Sequence, residues 1–417
     1  MASRFNVTKP AALAMALGAA LFLGGCQGGI TGGPQAPQGP AAPGAIGGPS
    51  APILAPGMPI PADPAGYVQA PGITGEPIRV ALLLPFTHPS AEAKQIAQAL
   101  LDSAQLAVIE SGNRQIFLMP RDTKGTIEGA QAAANQALAE GAEIVLGPLF
   151  AQTVTAAAPI VKARNIPMIA FSTDRAVASQ GVYLLSFQAE EEVASAVRYA
   201  RAQGRTSFAG LFPASAYGQR VQAAFEKAVG ESGGMVMGTA LYGPTPQEML
   251  AAVRSLPRGF DAVLLPEGGQ ALRTLAPLLP FNNIDPRTVK FLGTGLWDDR
   301  SILSEPSIKG GWFAAPDPIV REGFAQRFKE TYGYTPPRIA SLAYDAISLV
   351  NTYAAGAPYQ RYQTTTFLDP NGYQGIDGIF RFRPDGTIER GLAIIEVTET
   401  GFETIGAAPV TFQAIGF

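Results

Sequence analysis

The chain has 417 residues, a formal net charge of -3, 47% hydrophobic and 15% charged residues, one cysteine and one histidine. A near-neutral balance with no Lys/Arg run argues against a nucleic-acid partner, which needs a basic surface. The lone Cys26 and lone His88 exclude an internal disulfide framework and a multi-histidine metal site, and no G-x-S-x-G elbow, P-loop or H-E-x-x-H stretch occurs.

Taken in chain order, Arg4 and Lys9 give a positive start, and Ala11 to Leu23 form an apolar run. Its length is that of a signal-peptide core, about 7–15 residues, and falls short of the roughly 20 needed to span a bilayer. The run closes in Leu23-Gly24-Gly25-Cys26, which resembles the bacterial lipobox. Residues 1–25 are thus expected to be a cleaved signal peptide and Cys26 the lipidation site. The resemblance implies more than one acyl chain, and each buried methylene adds about 0.8 kcal/mol to membrane retention. Gln27 follows the cysteine; in the enterobacterial sorting pattern a residue other than Asp there favours the outer membrane. Residues 26–77 are rich in Gly and Pro, with Asp63 and Glu76 as the only charges. Such a stretch buries too little apolar area to offset its chain entropy, so a disordered tether is expected.

From Ile78 the pattern becomes periodic. "IRVALLLP" (78–85) reads as a buried parallel strand. The next segment, 91–112, places Ile96, Leu100, Ala104 and Val108 on one helical face and stops at Gly112. Strands at 115–120, 143–148 and 167–171 alternate with helices at 126–141 and 153–165. A second alternation follows, with helices at 189–203, 217–230, 246–255 and 268–278. Its strands are at 206–213, 235–242, 260–267 and 289–293. Late helices near 319–332 and 338–355 precede a hairpin-like 378–397 turning at Pro384-Asp385-Gly386. Regular alternation predicts doubly wound α/β sheets. About 340 residues exceed what one core usually holds, near 250–300, so two α/β lobes are expected.

In such sheets a ligand binds beyond the carboxyl ends of the strands. Those ends carry Phe86, Thr87 and His88; Gly147 to Thr153; Ser172, Thr173 and Asp174; Ser215 and Tyr217; Glu267; and Thr294 to Asp299. Gly147 permits close backbone approach, and the helix after it offers unpaired N–H groups to a carboxylate. Tyr217 and Trp297 offer stacking area with a polar tip. The candidate ligand-binding set is Phe86, Gln152, Thr153, Ser172, Thr173, Tyr217, Glu267, Thr294 and Trp297. Each has a plainer role available: Thr153 and Ser172 as helix caps, Tyr217 and Trp297 as core aromatics, Glu267 as a solvated acid, His88 as a surface loop residue. No catalytic residue, metal site or cofactor is expected.

The order of "IRVALLLPFT", "EIVLGPLFAQTVTAAAPI", "IPMIAFSTD", "LFPASAYGQRVQAAFEKAV" and "LAYDAISLV" resembles type I periplasmic binding proteins of the leucine/isoleucine/valine-binding kind. "LGTGLWDD" and "GIDGIFRFRPDGTIERGLAIIEV" resemble alphaproteobacterial lipoproteins labelled penicillin-binding protein activator. The resemblance implies one binding domain over 78–417, with lobe 1 at about 78–188 and 317–388 and lobe 2 at about 189–316 and 389–417. It also places the family's ligand aromatic at Tyr217 and its carboxylate loop at 150–153 and 172–174, where a family serine reads Ala151. The acid that meets a ligand ammonium falls near Gly295, with Glu267, Asp298 or Asp299 as substitutes. The implied function is a non-catalytic, periplasm-facing, lipid-anchored protein that binds a small amino-acid-like solute for an ABC permease. The alternative is an activator that docks on a peptidoglycan-synthesising penicillin-binding protein.

Overall fold

A computed structural model describes residues 68–69 and 76–412. The expected signal peptide, Cys26 and most of the expected tether lie outside the described residues.

The first alternation builds β1 (Val68–Gln69), β2 (Ile78–Leu84), α1 (Ala91–Ser111), β3 (Ile116–Asp122), α2 (Ile127–Ala139), β4 (Ile144–Leu146), α3 (Ala151–Lys162), β5 (Met168–Ala170) and β6 (Val182–Leu184). Its strands form one sheet in the order β1-β3-β2-β4-β5-β6, parallel except for β1. The run Val80–Leu84 is wholly buried because helices cover both faces of the sheet. Ser90 opens α1 by accepting the N–H of Ala93, and Gly112 closes it at φ 63°.

The second alternation builds α4 (Ala189–Ala202), β7 (Ser207–Pro213), α5 (Ala216–Glu231), β8 (Met235–Tyr242), α6 (Pro246–Ser255), β9 (Ala262–Leu264), α7 (Gly269–Leu275), α8 (Leu278–Phe281), β10 (Lys290–Gly293) and β11 (Trp312–Ala315). The chain continues through α9 (Pro318–Tyr332), α10 (Ser341–Thr352), β12 (Tyr373–Gly375), β13 (Gly378–Phe382), β14 (Ile388–Arg390), β15 (Ala393–Val397) and β16 (Phe402–Gly406). The second sheet runs β16-β15-β11-β10-β9-β7-β8, and β12-β13-β14 form a small third sheet. Helix α10 and strands β13 and β14 pack into the first core, beside Leu82 and Leu100. Strands β11 and β15 pack into the second core, beside Val263 and Phe291. The chain therefore leaves the first sheet after β6, returns to the first core at α10 after β11, and rejoins the second sheet at β15 after β14.

Several elements differ from the sequence expectation. Val68 and Gln69, inside the stretch expected to be disordered, pair antiparallel with Leu118 and Phe117. Backbone pairing to an open sheet edge requires no side-chain pattern, which is why composition did not signal it. The expected helix 268–278 is two helices, because Pro277 lacks the N–H that would continue α7. In the expected hairpin, β13 pairs with β14 across the Pro384–Gly386 turn, but β15 leaves for β11 of the other sheet. β6, β11, β12 and β16 carried no sequence signal of their own; three of them are only three or four residues long.

One buried acid of the first lobe makes the fold pH-sensitive. Asp345 is 2% exposed and accepts the Ile376 N–H at 2.8 Å. Burial, reinforced by the negative charge of Asp377 and opposed by Arg390, pushes its carboxyl up to about 7. Between the usual carboxylate range and that value the folded chain holds a proton that the unfolded chain has released, so this group's contribution falls as pH rises. Asp345→Asn, which keeps an acceptor for Ile376 but does not titrate, is expected to gain melting temperature relative to wild type between pH 5 and pH 8. Parallel melting curves across that range would contradict the assignment.

Candidate functional site

A cavity of about 250 Å³ lies between the lobes. The first lobe contributes Phe171 and Thr173, just past β5, and Arg338, Ile339 and Leu342 at the entry to α10. Ser186 and Phe187 line it from the first crossing segment. The second lobe contributes Glu190 and Glu192 on the first turn of α4, Tyr217 and Arg220 on α5, and Leu296 beyond β10. Tyr217 is aimed by a tight start to α5: Ser215 accepts the Gly218 N–H, and a Cβ on Gly218 would lie 1.9 Å from the Pro213 carbonyl oxygen.

The cavity floor is an ion pair that joins the lobes. Arg338 donates to the Gly295 carbonyl at 2.7 Å and lies 3.5 Å from Glu192 Oε1. Glu192 Oε2 accepts the Gly295 N–H at 2.8 Å. The guanidinium also sits 4.3 Å over the Phe187 ring. Burial raises the Glu192 carboxyl, and Arg338 with the Gly295 N–H pulls it back. A Cβ at residue 295 would lie 2.3 Å from Arg338 Nη1 and 2.5 Å from Glu192 Oε1. The space for an acid at that position is thus filled by the pair itself.

A second, more open cavity of about 640 Å³ shares Thr173 and Arg220 with the first. It runs along Leu149–Ala151, Ser172 and Asp174 on one side and α5 on the other. Gly147, at φ 82°, brings this loop against β2, where any Cβ would lie 2.3 Å from the Leu83 carbonyl oxygen.

Of the residues singled out in the sequence, the structure places Thr173 and Tyr217 on the first cavity and Ser172 and Thr173 on the second. Burial raises the Tyr217 phenol well above its usual range, and its hydroxyl is buried without a hydrogen-bond partner among the described residues. Thr294 is fully buried behind that ring. Glu267 accepts the Tyr242 hydroxyl at 3.0 Å, and burial raises its carboxyl. Thr153 is buried and donates to the Phe150 carbonyl; Gln152 donates to the Gly125 carbonyl. Phe86 packs on the first core.

Trp297 corrects the sequence reading. It is fully buried, donates to the Leu265 carbonyl at 3.1 Å, and belongs to the second core with Phe313. Gly293 and Gly311 leave the room that its ring fills. Asp298 and Asp299 do not replace the missing acid either: Asp298 pairs with Arg321 at 2.6 Å, and Asp299 accepts from Ser301. The acids at the cavity are Glu190 and Glu192, which the sequence reading did not single out; they sit with Glu191 in the first turn of α4, where the helix dipole favours negative charge.

Among the described residues, no group of three or more His, Cys, Asp or Glu is placed to hold a metal ion, and no helix is long and apolar enough to cross a membrane. No curated protein sequence matches the chain. Solved structures share its fold at low identity. An ABC transporter substrate-binding protein from Sphaerobacter thermophilus has a TM-score of 0.63 at 18% identity, covering 80% of this chain and 97% of its own. A Desulfitobacterium hafniense ABC transporter substrate-binding protein, in complex with Leu, has a TM-score of 0.60 at 19% identity, covering 79% and 100%. A solute-binding protein of an ABC transporter from R. palustris, in complex with benzoate, has a TM-score of 0.58 at 19% identity, covering 80% and 97%. Residues 77–402 match the family model for periplasmic binding proteins; with two α/β lobes, three crossings and a cavity between them, the chain belongs to the periplasmic binding protein family.

Proposed function

We propose that the chain is a non-catalytic substrate-binding protein of the ABC-transport type that encloses a small, amino-acid-like solute between its lobes. It works at the periplasmic face of the envelope, anchored through lipidated Cys26 and delivering to a permease. The observation that carries this reading is the interlobe cavity: a small volume with an apolar body (Phe171, Phe187, Leu296, Ile339, Leu342) and a few charged and hydroxylic groups, the usual make-up of a solute site. The leucine- and benzoate-bound neighbours support small solutes in general.

A melting series tests it. Single amino acids are added to the full chain, and a binder at a hundred times its Kd is expected to stabilise by about 2.7 kcal/mol, a shift of several degrees. If none shifts the transition while a penicillin-binding protein is retained by the same chain, the transport reading fails and the activator reading replaces it. One observation favours that second reading. The protein's own side chains bridge the cleft: Arg338 to Glu192, Arg220 to Asp174, and Arg175 and Arg383 to Glu191. A body tied across its cleft in this way suits rigid docking.

A further inference from the structure

The entry to α10 faces the interlobe cavity through Ile339 and Leu342. Farther along, Asp345, Ser348, Leu349 and Thr352 follow the spacing of one helical face and line a different cavity of about 290 Å³. That cavity lies between α10 and the small third sheet and shares no residue with the two interlobe cavities.

Its lining is rich in acceptors. Asp345 is 2% exposed; its Oδ1 accepts the Ile376 N–H at 2.8 Å, but its Oδ2 is buried with no hydrogen-bond partner. Gly375 leaves that oxygen uncrowded, since a Cβ there would lie 2.5 Å from it. Ser348 and Thr352 direct their protons to the Tyr344 and Ser348 carbonyls, at 3.0 and 2.9 Å, and keep lone pairs to offer. Asp369, whose Oδ1 accepts the Asn371 N–H at 2.8 Å, adds a second carboxylate. No Lys, Arg or His lines the cavity, and the exposed Gln374 is the only lining side chain with N–H donors. Asp377 and Arg390 act on Asp345 from the β12–β14 segment, the first opposing its ionisation and the second favouring it; neither lines the cavity. The apolar part is Leu349, Phe380 and the rings of Tyr353 and Tyr373, whose hydroxyls hold each other at 2.9 Å.

A buried carboxylate oxygen without a partner is costly, and a bound donor relieves the cost. A primary ammonium brings three donors, a positive charge and an apolar stem, and aromatic faces attract it. Independently of the interlobe reading, we infer that this first-lobe cavity is a second ligand site, which takes a small primary ammonium with Asp345 Oδ2 as its counter-ion.

Calorimetric titration of the full chain with butylamine at pH 7.5 tests the site. Two comparisons are butan-1-ol, which lacks the charge, and tetramethylammonium, which lacks N–H donors. Butylamine is expected to bind, and both comparisons to bind tenfold or more weakly. Asp345→Asn is expected to weaken butylamine tenfold or more. That variant is expected to melt no lower than wild type, so the loss is not a folding defect. Glu190→Gln, in the interlobe cavity, leaves butylamine binding unchanged. Burial and Asp377 hold the Asp345 carboxyl protonated up to about 7, and only its charged form pairs with an ammonium. Wild-type affinity is therefore expected to rise from pH 5.5 to pH 8, and the rise to vanish in Asp345→Asn. Butylamine that fails to bind wild type, or binds Asp345→Asn equally well, overturns the site. Tetramethylammonium binding as tightly as butylamine overturns the hydrogen-bonded ammonium. A loss in Glu190→Gln in place of Asp345→Asn moves the amine to the cleft, which overturns this site and leaves the solute-binding reading standing.

Discussion

Arg338→Met is expected to destabilise the chain by about 3–5 kcal/mol, the usual cost of leaving one member of a buried ion pair alone. Glu192 is 5% exposed and would keep only the Gly295 N–H as a partner. The double variant Glu192→Gln/Arg338→Met removes both charges and is expected to recover most of the loss. Denaturant unfolding at pH 7.5 and pH 5 checks the sign as well as the size. Burial already raises the Glu192 carboxyl in the presence of Arg338; without the guanidinium it rises further. Lowering the pH then neutralises the orphaned acid, so the penalty of the single variant shrinks at pH 5. A single variant as stable as wild type, or a penalty that grows on acidification, would remove Arg338 and Glu192 from the role of a structural bridge between lobes.

Trp297→Ala is expected to cost about 3–5 kcal/mol, the range for deleting a large aromatic from a packed core. The indole is fully buried, lies 6.2 Å from the Phe313 ring, and satisfies the Leu265 carbonyl, which truncation would strand. Trp297→Phe keeps most of the volume and is expected to cost less. The same placement governs fluorescence. The chain has two tryptophans, so in a Trp312→Phe background Trp297 alone emits. Its emission is expected to be blue-shifted and unchanged by any solute that fills the interlobe cavity. Red-shifted, readily quenched emission would return Trp297 to the cleft and undo the core assignment.

These two residues mark where local pattern stops being informative and contacts between distant segments take over. Period and punctuation determined the α/β alternation: the continuous apolar run 78–85, the four-residue steps from Ile96 to Val108 and the stop at Gly112 each answer to a local backbone rule that no distant contact overrides. The same reading put Thr173 and Tyr217 at strand ends, where both line the cavity. The small strands β6 and β11 and the departure of β15 to the second sheet were settled by partners far along the chain. So was the exclusion of Trp297, since burial depends on Gly293 and Gly311 leaving room for the ring. The ion pair at the cavity floor was beyond local reading altogether. Glu192, Gly295 and Arg338 are separated by 103 and 43 residues, and a charge shows in the sequence while its counter-charge across a cleft does not. Local periodicity specifies which elements form; long-range packing and charge pairing specify which side chains meet, and the solute-sized space between the lobes exists only at that second level.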